Sequence, residues 1–80
     1  MTDKESMSEW VEFDSTMLLQ ARFLHGVLEI VFKSNPSFRW LYEVDLEIYE
    51  GLLEADSPGA YFRRHLARLP FEKELFSESE

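Results

Sequence analysis

Tyr61, Arg64, His65 and Arg68 fall at i, i+3, i+4 and i+7, the spacing that places four side chains on one face of a helix. Their types suit a nucleic acid. Arginine fits a phosphate bidentately, and a tyrosine beside it can stack on a base. Residues 57–71 also hold Arg63 and no acid. The preceding stretch, 43–56, is the reverse: Glu43, Asp45, Glu47, Glu50, Glu54 and Asp56, with no base. The same arginines therefore also suit a second role, as a solvated face that pairs with that acidic run and favours the negative end of a helix dipole.

Trp40 and Tyr42 are the other pair of interest, because aromatic side chains on an open sheet can stack unpaired bases. Their surroundings point to the core instead. They alternate in step with Phe38, and the stretch before them puts Leu28, Ile30 and Phe32 on a matching apolar face.

Catalysis is not expected. Serines and carboxylates are present, but no nucleophile stands with a base and an orienting acid in a recognisable pattern. The three glycines form no phosphate loop. His25 and His65 lack metal-ligand spacing, and the acidic run 43–56 lacks the alternating ligands and central glycine of a calcium loop. With no cysteine, thiolate zinc sites and disulfides are excluded. The expectation is a non-catalytic module with no metal and no small-molecule cofactor.

The elements that must position these residues can be read from periodicity. Residues 18–23 alternate, with Leu19, Ala21 and Phe23 on one side and Leu18, Gln20 and Arg22 on the other. Leu24-His25-Gly26 suits a tight turn, since glycine takes a positive φ freely. In 27–33, Leu28, Ile30 and Phe32 share one side; Val27, Glu29, Val31 and Lys33 share the other. Ser34-Asn35-Pro36-Ser37 reads as a loop, and Phe38, Trp40 and Tyr42 alternate with Arg39, Leu41 and Glu43.

The period then becomes helical. Asp45 is a candidate cap, and Ile48, Tyr49, Leu52 and Leu53 form an apolar face. Gly51 inside that helix hints at close packing, because glycine costs about 0.5–1 kcal/mol there against alanine. Ser57 and Pro58 suit the N-cap and first position of a second helix. That helix has an inward stripe of Phe62, Leu66 and Leu69, with Pro70 as its stop. The sum is an α+β fold: a three-stranded antiparallel β-meander followed by two α-helices packed on one face of the sheet. Leu19, Ala21, Phe23, Leu28, Ile30, Phe32, Phe38, Trp40 and Tyr42 should lie under the helices. Gln20, Arg22, Glu29, Lys33, Arg39 and Glu43 should face water.

Eighty residues make one domain, with hydrophobic residues at 45% and aromatics at 15%, enough for a thin core. The net charge of −8 is concentrated in the ends: residues 1–14 carry −4, residues 72–80 carry −3, and 15–71 only −1. The expected organisation is an acidic N-terminal tail (1–14), a domain (15–71) and an acidic C-terminal tail (72–80). No apolar run reaches the roughly 20 residues of a membrane span, and the N-terminus is unlike a signal peptide. The default location is cytoplasmic.

Ser15-Thr16-Met17-Leu18, the following hairpin, Trp40-Leu41-Tyr42-Glu43-Val44, Ile48-Tyr49 with Leu52-Leu53, Ser57-Pro58-Gly59-Ala60-Tyr61-Phe62 and Leu69-Pro70-Phe71 together resemble the KTSC domain. That family is named for the C-terminal extension of some lysyl-tRNA synthetases and also occurs as free-standing bacterial proteins. The resemblance covers about residues 15–73. It departs from the family pattern at Trp40 (usually tyrosine), Asp45 (often proline), the Ser34–Ser37 loop (usually glycine-bearing) and Arg63 (frequently asparagine). The last departure puts any shared polar site on the second helix in question. The resemblance implies a small domain of uncharacterised function, with RNA or tRNA contact as one expectation. A protein partner or self-association is the alternative.

Overall fold

The computed structural model describes residues 9–75. Seven elements run in the order β1 (Val11–Glu12), β2 (Leu18–Leu24), β3 (Val27–Phe32), β4 (Phe38–Glu43), α1 (Leu46–Glu54), α2 (Pro58–His65) and β5 (Glu72–Leu75). The strands form one antiparallel sheet in the order β1-β2-β3-β4-β5. The α+β architecture and the central meander of β2, β3 and β4 are as expected. The strand count is not: the sheet has five strands, and the fifth follows the helices.

Both added strands lie in stretches that read as acidic tails. β1 is only two residues long, too short for a periodic signal. β5 is Glu-Lys-Glu-Leu, rich in residues that strands avoid when judged alone. Its ladder to β4 and its Lys73 ammonium, 4.7 Å from the Phe38 ring centroid and 5.2 Å from that of Trp40, hold it in place. The tail expectation for residues 1–8 and 76–80 lies outside the described residues.

The turns follow their sequence chemistry. His25 and Gly26 connect β2 to β3 with φ of 53° and 79°, the two positive angles of a type I′ hairpin. Gly26 is at home there, whereas His25 carries a side chain in a left-handed conformation. His25→Asn should therefore stabilise the fold, by about 0.5 kcal/mol, read as a higher urea midpoint at unchanged slope. The next loop is two successive turns, Asn35 N–H to Phe32 O (3.1 Å) and Phe38 N–H to Asn35 O (3.2 Å).

The helices cover one face. Phe62 of α2 meets Phe32 and Tyr42 edge-on at 5.1 and 5.9 Å, and Tyr49 of α1 stacks on Phe23 at 5.7 Å. Leu18, Ala21, Leu28, Ile30, Phe32, Tyr42, Tyr49, Leu52, Phe62 and Leu66 form the buried cluster, with Trp40 and Phe23 packed against it.

One residue of the expected face is exchanged. Leu18 is fully buried and Leu19 only half-buried. The reason is a β-bulge: Leu18 pairs with Phe32 and Gln20 with Val31, so one extra residue in β2 reverses its parity.

The opposite face also differs from a simple solvated surface. Glu29 and Val31 are buried there (7% and 0% exposed). Glu29 Oε1 accepts from Arg22 Nε and from Arg39 Nη1, each at 3.0 Å, and Arg39 Nη2 reaches Glu74 at 3.1 Å. Trp10 lies over the Arg22 guanidinium at 4.5 Å. A rung of charged side chains thus crosses β2, β3, β4 and β5.

Candidate nucleic-acid interface

The local chemistry of α2 sets where its basic residues stand. Ser57 Oγ accepts from the Ala60 N–H at 3.3 Å, and Pro58 follows at the first helical position, as the sequence suggests. The helix closes before Pro70. The Phe62 carbonyl accepts from both Leu66 N–H (2.8 Å) and Ala67 N–H (2.9 Å), which ends the regular ladder after His65. Leu66 is still buried, but Leu69 is turned outward. Arg68 therefore lies in the turn after α2 rather than on its face.

Tyr61 is tied into the fold. Its O–H donates to the Ile48 carbonyl at 3.1 Å, its ring lies against Gly51 of α1, and the His65 ring packs on it at 4.3 Å. Its role in this arrangement is to clamp α2 to α1. Arg63, Arg64, His65 and Arg68 are exposed. Arg63 Nη1 lies 3.7 Å from the Met17 sulfur. Arg64 and His65 share the last turn, and Arg68 continues the basic run past it.

None of Arg63, Arg64 and Arg68 forms an ion pair among the described residues. The acidic run 43–56 is close in sequence, yet the fold does not use it to neutralise them.

Trp40 and Tyr42 are not a platform. Tyr42 is 2% exposed, and burial pushes its hydroxyl up to about 12. Burial also raises Tyr49. Trp40 is half-buried, between Phe32 at 4.9 Å and Lys73. Among the described residues no cluster of three or more histidine, aspartate or glutamate side chains could hold a metal ion. No described helix is long and apolar enough to cross a membrane.

Two features escaped sequence reasoning. The Arg22–Glu29–Arg39 rung was legible in principle, since period-2 alternation puts all three on one face, Arg22 directly opposite Glu29 and Arg39 diagonal to it. The second is a groove of about 430 Å³ lined by Val27, Leu41, Glu43, Leu69, Pro70, Phe71 and Glu72. It needs the return of the chain from α2 into β5, which no local pattern announces.

A family model described as the KTSC domain matches residues 6–68. The chain belongs to the KTSC domain family. No curated protein matches it. The matched span takes in β1 to β4, both helices and every residue of the basic run. In this KTSC domain β5 and the lining residues Leu69–Glu72 follow the matched span.

Proposed function

We propose that this KTSC domain is a non-catalytic accessory module that contacts RNA, tRNA included, through the basic end of α2. The observation that carries the reading is the set Arg63, Arg64 and Arg68, without ion pairs among the described residues and exposed together with His65 in a chain whose acids outnumber its bases two to one. Arg64 and Arg68 take phosphates, His65 adds a donor beside them, and Tyr61 fixes the angle at which α2 presents them. Acidic ends keep such contact weak by long-range repulsion, which suits an accessory role.

The test is a titration with tRNA and a short single strand across a salt series. Wild type should bind in low salt, with log K falling against log salt by about 0.7–0.9 per phosphate contact. Arg64→Ala with Arg68→Ala should weaken binding by at least about tenfold and flatten the slope by roughly two contacts. These residues are exposed, so the double variant should keep its wild-type melting temperature. Absence of any binding by wild type in low salt ends the proposal.

A further inference from the structure

The groove beside the basic run asks for a different ligand from RNA. Its floor is Val27 and Leu41, on the sheet face turned away from the helices. One wall is Leu69-Pro70-Phe71, and its two charged lining residues are Glu43 and Glu72. No base lines it.

The groove is preformed. Glu72 is held by its ladder position opposite Leu41, the turn into the wall is closed by Leu69 N–H to Leu66 O at 3.0 Å, and the Phe71 ring rests 5.6 Å from Tyr42. Leu69 and Phe71 nonetheless stay 36% and 49% exposed. An apolar wall held open costs hydration, and two carboxylates at its edge remain without ion pairs among the described residues.

We infer that this groove is a docking site for a segment of a partner protein that carries a large apolar side chain flanked by lysine or arginine. Charge complementarity selects that occupant. The apolar side chain fills the space over Val27 and Leu41, and the flanking cations meet Glu43 and Glu72. A phosphate backbone would be repelled by the same two carboxylates. A second copy of this chain brings another net −8 against it, which opposes self-association. The site does not rest on the RNA reading: no residue proposed to contact RNA lines it.

The probe is the capped peptide Lys-Lys-Phe-Lys-Lys, followed by methyl chemical shifts of the full chain. The expected result is saturable shifts of Val27, Leu41 and Leu69. Glu43→Gln with Glu72→Gln should weaken binding at least fivefold, and a Lys-Lys-Ser-Lys-Lys peptide should bind at least fivefold more weakly than the parent. Both glutamates are exposed, so the double variant should fold normally. Four outcomes overturn the proposal. The serine peptide binds equally well, which is general attraction to an acidic chain. The shifts fall away from the groove. RNA shifts the same methyls. Sedimentation shows a dimer that Leu69→Ser with Phe71→Ser disperses, which makes a second copy the occupant.

Discussion

Gly51→Ala should lower the melting temperature by roughly 10 °C, although alanine is the better helix former. A Cβ at position 51 would meet the Tyr61 hydroxyl, and it would lie 2.7 Å from Cζ and 3.0 Å from Cε2 of the same ring. The ring is a poor candidate for yielding. Its O–H is committed to the Ile48 carbonyl and its face to His65. Forcing it aside loses a hydrogen bond worth about 1 kcal/mol and strains packing by about 1–3 kcal/mol. Helix propensity returns only about 0.5–1 kcal/mol, so the net cost is roughly 1–3 kcal/mol.

The decisive measurement is a double-mutant cycle. With Tyr61→Ala already in place the clash is gone, and Gly51→Ala should become stabilising by about 0.5–1 kcal/mol. A change of sign identifies the tyrosine as the reason for the glycine. Equal destabilisation in both backgrounds would put the cause elsewhere.

Gly51 also shows what the sequence can carry. A glycine inside an amphipathic helix announces a close approach, but not by which residue. The features that proved legible are of this local kind. Ser57 with Pro58 marked a helix start, His25-Gly26 marked a hairpin, and alternation placed Leu28, Ile30, Phe32 and Tyr42 under the helices. Each depends on a few neighbours in the chain and on rules of backbone geometry.

What was not legible depends on distant partners. The bulge at Leu19 leaves no mark in β2, because both Leu18 and Leu19 are apolar and either parity looks acceptable. β5 looks like a solvated tail because its residues are Glu-Lys-Glu-Leu. It is a strand because β4 offers an edge and two rings for Lys73. The early end of α2 has the same origin. Pro70 is a credible stop, yet the Phe62 carbonyl closes the helix sooner and sends Leu69 outward.

The candidate site divides in the same way. Periodicity grouped Arg64, His65 and Arg68 on one helix face; the first two stand on α2 and Arg68 in the turn after it, all three exposed. Periodicity alone could not separate Tyr61 from them. On a helical wheel Tyr61 belongs with the arginines, but the crossing of α1 and α2 turns that edge of the wheel into an interface. An interhelical contact is a property of two elements, and a one-helix pattern does not contain it.

The face away from the helices supplies the second large effect. Glu29→Ala should destabilise the domain by about 2–4 kcal/mol, while Glu74→Ala should cost less than about 1 kcal/mol. Both glutamates bond to Arg39 at similar distances, so distance cannot separate them. Environment does. The Glu29 side chain is 9% exposed and serves two arginines through one oxygen, whereas the Glu74 side chain is 47% exposed. Loss of Glu29 deprives Arg22 and Arg39 of a carboxylate they share, with both arginine side chains only about a quarter exposed. Water and salt already screen the outer pair. The Arg22 guanidinium also stacks on the Trp10 ring, so Glu29→Ala should loosen the N-terminal stretch, seen as altered tryptophan emission well before global unfolding. Breaking a desolvated charge cluster is costlier than replacing it whole. Arg22→Met, Glu29→Leu and Arg39→Met together should therefore melt closer to wild type than Glu29→Ala alone. If urea denaturation finds Glu29→Ala no worse than Glu74→Ala, the rung is surface decoration and the strands β2 to β5 are braced by their ladders and the apolar face alone.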